Sequence, residues 1–309
     1  MINSTVKTKI DSADGVVNNE SSFSQGTVFV TVNCVLNVPL MLISILGNAL
    51  VVAAIIRTSS IRSTSMTVLC SLAVSDLLVG FIVQPFFIAS ELTTDPLMEK
   101  LSEMMEFALC GVSLCTMTAI SVDRFMALHH PMRYQSAIIA KRRVIHASII
   151  TIWVINFSQS SVYFFNWSKY FSIMALGVCL CIFISTYSYI KIYQIVRQHQ
   201  IQIQAQQQSA VQSTFDKDHN LNMLRIKRSA INTFTFYIAM ILCYTPILIS
   251  MCLSSISYKH WTKTWHLADT VVFLNSSVNP FLYCWRLGDL RSAVLKTSRK
   301  VLCKETTGD

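Results

Sequence analysis

Acidic residues stand where an apolar chain has least reason to keep them. Asp76 lies in SLAVSDLLVG, Asp123 stands beside Arg124 in SVDRF, and Asp269 lies in HLADTVV. Glu99, Glu103 and Glu106 are spaced four and three apart, so they share one helical face. A carboxylate in hydrocarbon is costly unless it is paired, hydrated or protonated, which makes such a residue functional by default. Glu106, with Glu103 and Asp269, is placed to surround a cavity that favours a cation; the blander reading, a solvated rim, fits Glu99 best. Asp76 is ten residues into its apolar run, ~15 Å and near mid-bilayer, where its bland alternative is a structural hydrogen bond with Asn48. The Asp123–Arg124 pair joins a permanently charged planar fork, able to exchange partners, to an acid at a hydrophobic boundary. A lone basic anchor is the alternative there. No nucleophile–base set or metal-ligand spacing emerges from the seven His and ten Cys, so catalysis is not expected.

These residues need a membrane to be costly in, and the composition supplies one. The chain has 309 residues, 52% hydrophobic and 13% charged, about half the charge of a soluble domain. The run 35–56 is uncharged and long enough to cross ~30 Å of hydrocarbon. Comparable runs follow at 66–89, 104–128, 144–165, 170–195, 230–253 and 267–285, the third being the least apolar. The expected fold is an all-α membrane protein: a seven-transmembrane helix bundle over 28–286, preceded by a tail at 1–27. A short amphipathic eighth helix and tail follow at 287–309. Pro246 and Pro280 each remove a backbone donor within a span, and Asn275, Ser276 and Asn279 supply polar groups beside the second break. The segment 196–228 is Gln-rich and reads as a partly helical linker.

Charge sets the orientation. The net charge is +9, but the basic residues are sorted by side rather than gathered into a nucleic-acid patch. Most flank the first, third and fifth connections and the end of the last span, so the N-terminus is expected outside and the C-terminus in the cytoplasm. The sequons at Asn3, Asn19 and Asn166 all fall on the expected outside and are glycosylation candidates. Residues 1–26 are polar with no apolar signal region, so the first span is expected to direct insertion.

One set of residues per span then makes a resemblance. Gly47–Asn48, LAVSD ending at Asp76, Asp123–Arg124–Phe125, Trp153, CYTP ending at Pro246, and NPFLY from Asn279 to Tyr283 occur in order. Together they resemble the rhodopsin-like, class A G-protein-coupled receptors over about residues 28–303. The resemblance implies a plasma-membrane receptor that binds an extracellular ligand and activates a heterotrimeric G protein, with arrestin as a further candidate partner. It implies that Asp123 restrains Arg124 at rest, and that Arg124, Tyr187, Pro246, Pro280 and Tyr283 take part in opening the cytoplasmic face. It also implies an allosteric sodium site at Asp76, Ser113, Asn275 and Asn279, and no other cofactor.

Departures from the family pattern are as specific as the matches. Glu99 stands where the third span usually has a Cys, Tyr244 replaces the Trp before the sixth-span Pro, and Cys179 replaces the fifth-span Pro. No acid in LRIKRSA can lock Arg124, which suggests basal activity. Phe273 occupies the position of the retinal-bearing Lys, excluding an opsin. Glu106 is placed like the ammonium-binding acid of amine receptors, while Glu99 and Glu103, the short second outer loop and the missing Cys and Pro resemble the melanocortin and adenosine-like group. The expected ligand is therefore cationic, an amine or a basic peptide, held by Glu103, Glu106, Asp269 and Tyr244. An uncharged nucleoside- or lipid-like ligand is the alternative, and a channel or transporter the alternative from another class. After the bundle, Leu287, Leu290, Val294 and Leu295 alternate with basic residues, predicting a helix on the inner leaflet with Cys303 as a palmitoylation candidate.

Overall fold

In the computed structural model, the backbone is described for residues 2–59, 63–93, 95–129, 138–209, 234–253 and 258–304, with most side chains from residue 28 onward. All regular structure among these residues is helical. The first span lies in α1 (Ile2–Arg57), which continues back through the expected tail. The second comprises α2 (Thr64–Leu78), a π turn (Val79–Val83) and α3 (Gln84–Thr93). The third is α4 (Pro96–His129), the fourth α5 (Ile138–Ser160) and the fifth α6 (Trp167–Ser209). The sixth is α7 (Phe234–Leu253), the seventh α8 (Tyr258–Arg286), and α9 (Gly288–Lys304) follows it.

Among the described residues, each of the seven expected runs therefore falls on helical structure. Five of them are long and apolar enough to cross a membrane on length and composition alone. The third span is among these, at a mean hydropathy of 1.6, which corrects the expectation that it is the least apolar of the seven. The fourth and seventh fall outside the five. The fourth begins in Lys141, Arg142 and Arg143, and the seventh carries His266, Asp269, Asn275 and Asn279 inward.

Helix starts follow local chemistry. The Ser63 hydroxyl accepts the Met66 N–H at 3.3 Å, the Asp95 carboxylate accepts from Leu97 before Pro96, and the Asn166 side chain accepts from Lys169. Each satisfies a backbone donor that the first turn leaves orphaned. Within the second span, Pro85 offers no N–H. The π turn just before it changes register there, with the Gln84 N–H reaching five residues back to the Val79 carbonyl.

Two glycines set how closely the spans pack. A Cβ at Gly80 would lie 3.0 Å from Ser44 and Ile45, and one at Gly47 would lie 2.9 Å from the Pro280 ring. The first span thus meets the second at the π turn and the seventh at Pro280. Polar residues extend this seam: Asn48 donates to the Ser276 carbonyl at 3.0 Å and Ser277 to the Leu40 carbonyl at 2.8 Å. Further along, Thr270 bridges Asn33 and Asn37, donating to Asn33 and accepting from Asn37. The apolar core runs along the axis through Leu72, Val83, Leu109, Met240, Phe273 and Tyr283. The amphipathic helix is present, but its packed face is Leu290, Ala293 and Thr297, while Leu295 is exposed.

Candidate functional site

Asp76 is fully buried, and both of its carboxylate oxygens are engaged. Ser113 and Ser276 donate to Oδ1 at 2.9 Å each, and Asn279 donates to Oδ2 at 2.7 Å. The backbone carbonyl of Asp76 accepts from Ser44 at 2.8 Å, so the second span is tied to the first, third and seventh around one charge. Hydrogen bonds to an ionised acceptor are about twice as strong as neutral ones. Ser113 and Asn279 thus reach Asp76 as expected, whereas Asn275 makes no hydrogen bond to it and Ser276 takes that place. Among the described residues, neither side-chain polar atom of the buried Asn275 has a partner, nor do Asn279 Oδ1 and Asn48 Oδ1. Asn48, the structural alternative for Asp76, reaches Ser44 and Ser276 instead.

Ten residues before Asn279 on α8, Asp269 is buried and in hydrogen-bonding contact with the equally buried Glu106 of α4. Two carboxyl groups in that contact must share a proton or a cation, since like charges at such a distance repel strongly in a dry site. Asp269 Oδ1 has no hydrogen-bond partner among the described residues. One turn outward, half-buried Glu103 accepts a 2.6 Å hydrogen bond from Tyr163 of the short helical turn Ser161–Phe164. Glu99 is exposed, in keeping with a rim position. Tyr244 is buried and donates to the Cys110 carbonyl at 2.9 Å, one turn below Glu106. The four expected ligand residues therefore converge on one end of the bundle.

The sequence reading missed the rest of this wall. His266 Nδ1 lies 2.8 Å from Glu91 Oε1, joining the seventh span to the second. Phe107, Phe171 and Trp265 pack edge to face, with centroids 5.0–6.3 Å apart, and Tyr170 joins them. The available signal was spacing: His266 is one turn from Asp269, and Phe107 is next to Glu106.

At the opposite end, Asp123 and Arg124 are half-buried near the end of α4. Tyr187 is 51% exposed, with Phe125 at 6.4 Å and the Lys191 ammonium 5.7 Å from its ring centroid. Tyr283 is buried against Phe236, and its hydroxyl has no partner among the described residues. No hydrogen bond joins Tyr187 to Tyr283 among the described residues. What joins the fifth and sixth spans here is a stack of Tyr189 on Tyr237 at 5.2 Å and on Phe234 at 4.6 Å, with a 2.9 Å hydrogen bond between the Thr186 and Tyr237 hydroxyls. LRIKRSA lies outside the described residues. So do the side chains of Asn3, Asn19 and Cys303, whereas Asn166 is described and exposed.

The two ends thus differ in kind, one a cluster of buried acids and aromatic rings, the other a half-buried Asp–Arg pair, with a charged hub between them. The model of the rhodopsin family of seven-transmembrane receptors matches residues 47–179. Adenosine receptor A2b of Gallus gallus is 24% identical over 323 aligned positions, covering 89% of this chain and 90% of that receptor. The chain is thus similar to the rhodopsin-like seven-transmembrane receptors, to their family model over residues 47–179 and to that receptor along most of its length.

Proposed function

We propose that this receptor responds to a cationic ligand, an amine or a basic peptide, bound at the Glu106 end of the bundle. The observation that carries this reading is the buried contact between Glu106 and Asp269, flanked by Glu103 and an aromatic wall. A cation entering there would replace the shared proton and form charge-assisted hydrogen bonds in a site with little water. Aromatic faces such as those of Phe107 and Trp265 add to a cation's binding when they are turned toward it. Charge sorting and the sequons support an extracellular position for this end, with the Asp123–Arg124 end cytoplasmic. In binding assays on membranes with a panel of amines and basic peptides, Glu106→Gln should weaken every cationic binder, and Glu99→Gln far less.

A second reading has one specific support, the likeness to a protein named an adenosine receptor. A carboxyl pair sharing a proton can both donate to and accept from an uncharged nucleoside. Retained potency of a nucleoside in Glu106→Gln would favour that reading.

Asp76 is proposed as the anchor of a hydrated sodium ion. The unpartnered oxygens of Asn275, Asn279 and Asn48 support it, since hard oxygens suit a small hard cation. Agonist release of Arg124 would open the cytoplasmic face to the G protein, with arrestin a further partner at the same face.

A further inference from the structure

A cavity of about 400 Å³ opens on the side of the bundle between the third, fourth and fifth spans, away from the Glu106 end and reaching Asp123. That volume falls within the ~300–1,000 Å³ of ligand sites. Its walls are Ala119 and Val122 of α4, Ile145, Ile149 and Ile152 of α5, and Ile184 of α6, with Val68 behind them. From Asp123 at one end to Cys115 at the other is eight residues, ~12 Å along the helix.

The polar side chains that line it have partners of their own. Thr116 donates to the Val112 carbonyl at 2.7 Å, Thr118 to Leu114 at 3.0 Å and Ser148 to Val144 at 2.9 Å. The Cys115 and Cys181 sulfurs face each other at 3.8 Å. The cavity therefore offers hydrocarbon an apolar lining with its hydrogen bonds already made. Its charged mouth differs. Asp123 stands on α4, while Arg142 lies one turn before Ile145 on the same stripe of α5, with Arg143 next to it, both exposed.

We propose that this cavity binds one acyl chain of an anionic phospholipid from the leaflet on the Asp123 side, with its headgroup on Arg142 and Arg143. The surrounding medium supplies the occupant, and packing rather than the hydrophobic effect selects among lipid chains. The two arginines select the headgroup, because basic residues at a membrane surface attract anionic lipids. Phosphatidylserine carries a net negative charge that phosphatidylcholine lacks, so the arginines distinguish the two.

The test is photo-crosslinking of the full-length receptor in nanodiscs. Phosphatidylserine, phosphatidylcholine and cholesterol, each with a diazirine in the apolar part, would be compared at equal mole fraction and the labelled residues mapped. Phosphatidylserine should label 145–152 of α5 and 115–122 of α4 several-fold more than phosphatidylcholine does. Ala119→Phe should fill the cavity and abolish that labelling. Ser148→Phe, on the exposed face of α5, should do the same without touching the core, so a folding defect in the first variant leaves the test intact. Arg142→Gln should cut the preference for phosphatidylserine roughly fivefold. Labelling spread evenly over the spans and insensitive to Ser148→Phe would overturn the proposal. So would equal labelling by both phospholipids, or preferential labelling by the sterol.

Discussion

Glu106 and Asp76 are both buried acids on the bundle axis, yet their surroundings give them different tasks. Asp76 has three side-chain donors fixed on it and is built to hold a charge. Glu106 has only another carboxyl, so its charge awaits a partner from outside. Glu106→Gln keeps the shape and removes the charge, and should weaken a cationic agonist by roughly 1.5–3 kcal/mol, read from displacement curves. Asp76→Asn should abolish the dependence of agonist affinity on sodium, measured in sodium against a large organic cation such as N-methylglucamine. An unchanged sodium response in that variant would remove the ion from this site.

Helices and their joints carry the next level. The fifth and sixth spans are clasped by the Tyr189–Tyr237–Phe234 stack and the Thr186–Tyr237 hydrogen bond, toward the Asp123–Arg124 end that is proposed to open to the G protein. Tyr237→Phe removes only the hydroxyl, a net ~0.5–1.5 kcal/mol, and should raise ligand-independent signalling about two- to tenfold. Gly47→Ala would press a methyl group into Pro280 and should destabilise the protein by ~1–3 kcal/mol, lowering the melting temperature of the solubilised receptor. Much of this level was legible in the sequence. The apolar runs marked seven helices, Pro280 lay at a real contact with the first span, and Asp76, Ser113 and Asn279 could be grouped through the family resemblance, whereas the π turn before Pro85 was not foreseen. Other parts were not. The Glu91–His266 and Tyr163–Glu103 pairs join residues 175 and 60 positions apart through the packing of span ends, which no helical period encodes. Asn275 and Ser276 are neighbours in sequence, and only the rotation of α8 about its own axis decides which of them faces Asp76.

Across the whole molecule, an acid-lined end, a charged hub and an Asp–Arg end are strung along one axis of packed helices. Binding at one end can reach the other only by favouring one of two arrangements of that axis, since a ligand shifts an equilibrium by its differential affinity alone. Arg124→Ala should therefore remove nucleotide exchange while leaving surface expression and ligand binding largely intact. The central claim, a cation read by Glu106 and reported through Arg124, is tested most directly by guanine-nucleotide exchange on heterotrimeric G proteins. Membranes carrying wild type, Glu106→Gln or Arg124→Ala would be challenged with amines, basic peptides and nucleosides. At least one cationic compound should drive exchange in wild type, lose tenfold or more in potency in Glu106→Gln, and fail to drive exchange in Arg124→Ala. Exchange driven only by uncharged compounds, at equal potency in wild type and Glu106→Gln, or full exchange in Arg124→Ala, would contradict the account.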